Sequence, residues 1–125
     1  MRQPRLLLLL AAFVLLLLVV TPAISSASRP KSGLHGSVRR GPTQPVCSAE
    51  EPCDAPVVGA QLTFVRGSVV RHVRTKAGGR YSMRLKPGRY SVRVAGAPFG
   101  YSPTTVTVRR GRMSTLNIHI DTGIR

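Results

Sequence analysis

Tryptophan is absent from this 125-residue chain, and only four of its residues are acidic. The second shortage excludes more than the first. Paired carboxylates for general acid–base work, and the about six to eight oxygen ligands of a calcium site, both draw on a stock the chain barely holds. Glu50, Glu51 and Asp54 crowd into one short stretch, where they read as a solvated negative spot and not as a recognisable calcium loop. Cysteine is scarce as well. Cys47 and Cys53 have no second pair to complete a four-ligand zinc site, and the five residues between them exclude a CxxC redox centre. No phosphate-cradling glycine loop, nucleophile elbow or metalloprotease histidine pair occurs. His35, His72 and His119 stand singly and read as surface residues. The expectation is a protein that is not an enzyme and carries no cofactor.

What the chain has in quantity is positive charge. Lysine and arginine total 19, sixteen of them arginine, for a formal net charge of +15. Such a surface attracts polyanions whatever their sequence, although a coding bias toward arginine in a GC-rich genome would produce the same count.

The N-terminus carries a second strong pattern. Arg2 and Arg5 precede an unbroken apolar run of 15 residues from Leu6 to Val20, followed by Thr21-Pro22 and by the small residues Ser25-Ser26-Ala27. This is the layout of a secretory signal peptide, 1–27, cut after Ala27. An uncleaved anchor is the competing reading, for which a span needs about 20 apolar residues. Cleavage would leave a polar lead-in, 28–32, and one small domain, 33–125. Export places the protein in the cell envelope or outside the cell. It also argues against nucleic acid as the physiological partner, and no groove-reading or base-stacking motif is present. The anions available there are wall polymers, acidic glycans and lipid head groups, with membrane contact expected only if the signal segment is retained.

In an exported chain, Cys47 and Cys53 read as a disulfide. It would staple a proline-rich loop, 40–56, that offers almost no core residues of its own.

The domain itself is written in period-two alternation. Tyr81-Ser-Met-Arg-Leu85 places apolar residues at 81, 83 and 85, and Tyr90-Ser-Val-Arg-Val94 places them at 90, 92 and 94. Each set lines one face of a pleated strand. Similar strands are expected at 33–39, 60–66, 69–74, 104–109 and 113–120, with no helical period after residue 27. Pro87-Gly88 has the order of a type II turn, which suits hairpin twist poorly, so the fourth and fifth strands are expected to cross between sheets. Together these predict an all-β, seven-stranded antiparallel Greek-key sandwich behind a signal helix.

The stretches Thr75-Lys-Ala-Gly-Gly-Arg-Tyr81 and Leu85-Lys-Pro-Gly-Arg-Tyr90 carry a resemblance. They are similar to the T-x-x-x-G-x-Y…L-x-P-G-x-Y-x-V pattern of the carboxypeptidase regulatory-like domain, a transthyretin-like sandwich. The resemblance implies a module that accompanies or assists other proteins. The C-terminal Tyr-Arg-Gly-Ser of the transthyretin-like hydrolases is missing. The Lys–Asn isopeptide chemistry of related surface sandwiches is not expected either, because no acid lies in a strand beside Asn117.

Two sets of residues stand out as candidate contacts. Arg80, Arg84, Arg89 and Arg93 fall on the polar register of the fourth and fifth strands. There they would either bind an anionic polymer or glycan, or simply keep the sheets from aggregating. Phe99 and Tyr101 place two aromatics in the irregular loop 95–103, where they would either stack on a partner or cap the core. A structural or protein-interaction subunit, docking on another secreted protein or on itself, is the alternative function.

Overall fold

The computed structural model describes Pro22, Ala23 and residues 31–125. Apart from that dipeptide, the predicted signal segment lies outside the described residues.

Alternation of apolar and polar residues dictates the architecture. Among the described residues, ten strands form two sheets: β1 (Gly33–Gly41), β2 (Ala55–Pro56), β3 (Gln61–Arg66), β4 (Val69–Arg74), β5 (Arg80–Arg84), β6 (Gly88–Val94), β7 (Tyr101–Ser102), β8 (Thr105–Val108), β9 (Met113–Thr115) and β10 (Ile118–Asp121). A 3₁₀ turn at Ala77–Gly79 leads into β5. In the first sheet β1 is central. Its first half pairs with β5 on one edge and β9 on the other, and its second half pairs with β2 and β10, with β7 added beyond β10. The second sheet runs β4-β3-β6-β8.

All seven expected strands are present, and β5 and β6 do part company at Pro87-Gly88, one into each sheet. Three details differ. The pairings of β1 with β9 and β10 are parallel, so the sandwich is not wholly antiparallel. The expected last strand is broken at Leu116-Asn117 into β9 and β10. Two-residue strands also form inside both loops expected to be irregular.

The break has a local cause. Leu116 donates its N–H to the His35 carbonyl, and the Asn117 side chain accepts the Ser37 N–H at 3.1 Å, so side chain replaces backbone in the ladder. The Leu116 carbonyl then turns inward over Gly36, where a Cβ would lie 2.0 Å from its oxygen. Gly36 is therefore required by close approach, not by its backbone angles.

Alternate strand residues build one core, to which β4 contributes only the partly buried Val73. Leu34, Val38, Tyr81, Ile118 and Ile120 come from the first sheet, and Leu62, Phe64, Tyr90, Val92, Val94 and Val108 from the second. The rings of Phe64 and Tyr81 meet between the sheets with centroids 6.3 Å apart. Burying a large apolar side chain of this kind contributes about 1.5–3 kcal/mol. All three tyrosines in the described residues direct their hydroxyls at backbone carbonyls: Tyr81 at Leu116, Tyr90 at Lys86 and Tyr101 at Val92.

Candidate anion-binding surface

The course of β1 defines two ends of the sandwich. At its start, Gly33 lies beside Arg84 and Met113, and the Ser32 hydroxyl accepts the N–H of Gly111 at 2.9 Å. The β3–β4 turn reaches the same end, since Arg66 donates to the Pro87 carbonyl at 2.7 Å. Around it cluster the β5–β6 turn and Arg109-Arg110-Gly111-Arg112. At its finish, Gly41 meets Asp121 and adjoins Cys53 and Asp54. The loop 95–103 closes on that end too, through the bond from the Asp121 N–H to the Gly100 carbonyl. All four acids thus sit at or beyond the finish of β1, and none at its start.

The sandwich has an open edge on either side, and its β4–β5 side carries the cations. β4 pairs only with β3 and β5 only with β1, so each is the edge of its sheet, and the two edges lie beside one another. Two grooves run along this side. One, of about 580 Å³, is lined by Arg74, Lys76, Arg80 and His35 among hydroxyl and amide side chains. The other, of about 780 Å³, is lined by Arg71, Arg84, Lys86 and Arg110 with Ser32. Neither contains an acid. Arg71 belongs here for a reason of register. It pairs with the buried Phe64 and so projects from the inner face of its sheet, but β4 overhangs the core and leaves it in solvent.

A family model for the carboxypeptidase regulatory-like domain matches residues 50–121, more than half of the chain. The chain belongs to the carboxypeptidase regulatory-like domain family. No curated protein matches it. Domains of this family are generally non-catalytic. β1, which organises the first sheet of this carboxypeptidase regulatory-like domain, precedes the matched stretch.

The structure does not bring the four candidate arginines together. Arg80 and Arg84 lie on the outer face of the first sheet and line the open-side grooves. Arg89 and Arg93 lie on the outer face of the second sheet, away from both grooves. Arg71, Arg74, Lys76, Lys86 and Arg110 complete the cationic side in their place. Sequence reading passed over them because turn residues and an overhanging edge strand carry no face signal of their own.

The aromatic pair is also divided. Tyr101 is half-buried, packs against the core and bonds Val92 at 2.7 Å, so it serves the sandwich. Phe99 is 63% exposed. Its ring lies against Gly123, whose Cβ would approach the ring carbons within 2.7 Å. A groove beside it is lined by Tyr101, Ser102, His119, Asp121 and Arg125.

The acids at the far end are partly committed. Arg39 donates to Asp54 at 2.7 Å, and that hydrogen bond holds the carboxyl below its usual range and the guanidinium above its own. Arg125 grips Asp121 at 3.0 Å, and with the Gly123 N–H it lowers that carboxyl likewise. These are the ion pairs among the described residues, and neither involves a cation of the open side. Glu50 and Glu51 are exposed in the loop closed by the Cys47–Cys53 disulfide, whose Cα atoms are 5.5 Å apart. The disulfide fits an oxidising, extracellular setting. His35 and His119 share the outer face of the first sheet but pair with different neighbours, Thr115 and Arg39, four residues apart along β1.

Proposed function

We propose that this carboxypeptidase regulatory-like domain is an exported, non-catalytic module that binds anionic polymers of the cell envelope along its open β4–β5 side. One observation carries the reading: the grooves of that side gather the cations of two edge strands and three turns with no acid among their lining. Like charges held side by side repel, and an unpaired cationic row is relieved when an anion lies along it. Two open edges would also invite pairing between copies of the domain, which the same charges oppose. An anionic chain is the partner this surface accepts.

The test is retention of residues 28–125, which carry every strand and core residue described above, on an immobilised acidic polymer across a salt series. Retention should fall steeply between about 0.05 and 0.5 M salt, as exposed charges become screened. Arg80→Gln with Arg84→Gln should weaken it much more than Arg89→Gln with Arg93→Gln. Retention indifferent to salt, or equally indifferent to both pairs, would overturn the reading and favour a packed protein interface.

A further inference from the structure

We infer that the groove at the basic end, lined by Arg71, Arg84, Lys86, Arg110 and Ser32, is a discrete site for a phosphoryl group. The inference rests on the polyanion reading above and narrows it, by naming one subsite and the chemistry of its ligand.

Four elements build the groove. Arg71 comes from the overhanging face of β4, and Arg84 from the open edge of β5. Lys86 stands in the β5–β6 turn, and Arg110 in the turn before β9. Short connections hold these parts in register. The Leu85 N–H donates to the Ser32 carbonyl at 3.1 Å, and the Gly111 N–H donates to the Ser32 hydroxyl at 2.9 Å. The Lys86 carbonyl is fixed by Tyr90 at 2.7 Å and the Pro87 carbonyl by Arg66 at 2.7 Å. The backbone beneath the cations is thereby tied down, while their charged ends stay exposed around a volume of about 780 Å³.

Carboxylate and phosphoryl ligands make different demands. A carboxylate offers two oxygens in one plane and is satisfied by a single guanidinium fork. Four cations approaching from four chain segments suit a group whose oxygens point in several directions, as a phosphate monoester or diester does. The lining is free of acid, and the acids nearest in sequence, Asp54 and Asp121, are held at the opposite end by Arg39 and Arg125. Outside a cell that group is carried by phosphate-bearing wall polymers and by phospholipid head groups, and the arms of the experiment separate the two.

Residues 28–125 are titrated calorimetrically with inorganic phosphate, with chloride at matched ionic strength as the blank. The titration is repeated on Arg84→Gln with Arg110→Gln, and on the charge-matched pair Arg89→Gln with Arg93→Gln. Phosphate should bind in preference to chloride, and affinity should fall about tenfold or more in the first pair only. Thermal unfolding of each variant verifies that it is folded. Binding then to soluble polyphosphate but not to phosphatidylglycerol vesicles assigns the polymer as carrier, and binding to the vesicles but not to phosphatidylcholine assigns the head group. No preference for phosphate over chloride, or an equal loss in both pairs, overturns the site. In that event salt-sensitive retention on acidic polymer would leave the broader reading standing, and its absence would remove both.

Discussion

Tyr81 sits opposite Gly36 in the register of β5 and β1, yet its hydroxyl bonds the carbonyl of Leu116 at 2.6 Å on the far side of β1. The ring reaches across a position that has no side chain. Burial then raises the pKa of the phenol well above its ordinary value, since the charged form would lose water and gain nothing in the core. The unfolded phenol ionises near pH 10, so the unfolded state is favoured above that value while the folded group still keeps its proton. Tyr81 therefore stabilises fully below about pH 10 and loses its contribution as pH rises further. Tyr81→Phe should cost about 1–2 kcal/mol at neutral pH, because the buried Leu116 carbonyl loses its donor. It should also flatten the decline of stability measured by urea unfolding between about pH 9 and 11.

Gly36→Ala tests the same crossing from the other side. A Cβ would meet the Leu116 oxygen at 2.0 Å, and that backbone atom is already held by the Tyr81 hydroxyl. The expected loss is about 1–3 kcal/mol, the usual cost of overpacking. Recovering the lost stability by pairing Gly36→Ala with Tyr81→Phe would show that relaxing the Leu116 carbonyl relieves the clash; purely additive losses would show that the backbone cannot move.

Much of this fold was legible in the sequence because strand alternation is a local signal. Tyr81, Leu85, Tyr90, Val92 and Val94 are buried where the pattern put them, and Met83 is partly buried beside them. The crossing of β5 and β6 between sheets followed from turn chemistry at Pro87-Gly88. The parallel pairing of β1 with β9 and β10 joins residues about eighty positions apart, and nothing in either strand marks its direction. The candidate site was half legible for a related reason. Period two says that Arg80 and Arg93 face outward, but which way is outward depends on the sheet each strand joins. Arg71 was hidden further, since an inward register normally means core, and only the overhang of β4 makes it solvent-exposed.

Acid should weaken the end of the molecule that carries the carboxylates. The hydrogen bond from Arg39 lowers the Asp54 carboxyl below its unfolded value, so its contribution is present above about pH 4 and lost as pH falls through the folded value. Asp54→Asn should therefore show a shallower loss of stability than the parent between about pH 5 and 2, measured by denaturant midpoints. An unchanged acid limb would mean that the Arg39 pair is screened by solvent to no net effect.

Reducing the disulfide probes whether the two ends act independently. Opening the short Cys47–Cys53 loop should lower stability by about 2 kcal/mol through the freedom it returns to the unfolded chain. The loop is anchored to the sandwich by the bond from the Thr43 N–H to the Cys53 carbonyl at 2.9 Å and lies at the finish of β1, away from the basic grooves. Cys47→Ser with Cys53→Ser should accordingly leave salt-sensitive retention on acidic polymer unchanged at a temperature where the variant remains folded. A parallel fall in retention would tie the loop to the binding surface and place the acids Glu50 and Glu51 within its field.

The most exacting structural test falls on Thr75, the one buried polar residue among the described residues. Its hydroxyl donates to the Val57 carbonyl and accepts the N–H of Ala60 at 2.9 Å, while its own N–H bonds the Ala60 carbonyl at 3.0 Å. One side chain thus closes the backbone of the segment leading into β3 against the end of β4. Val has the same shape without the hydroxyl, so Thr75→Val isolates the polar contribution. It strands a buried donor and an acceptor, and should cost about 1–3 kcal/mol. Thr75→Ser, which keeps the hydroxyl and loses only a methyl, should cost about 1 kcal/mol. If Val proves the milder change, packing and not hydrogen bonding holds this corner, and the threonine that opens the first family-like stretch is there for its methyl group.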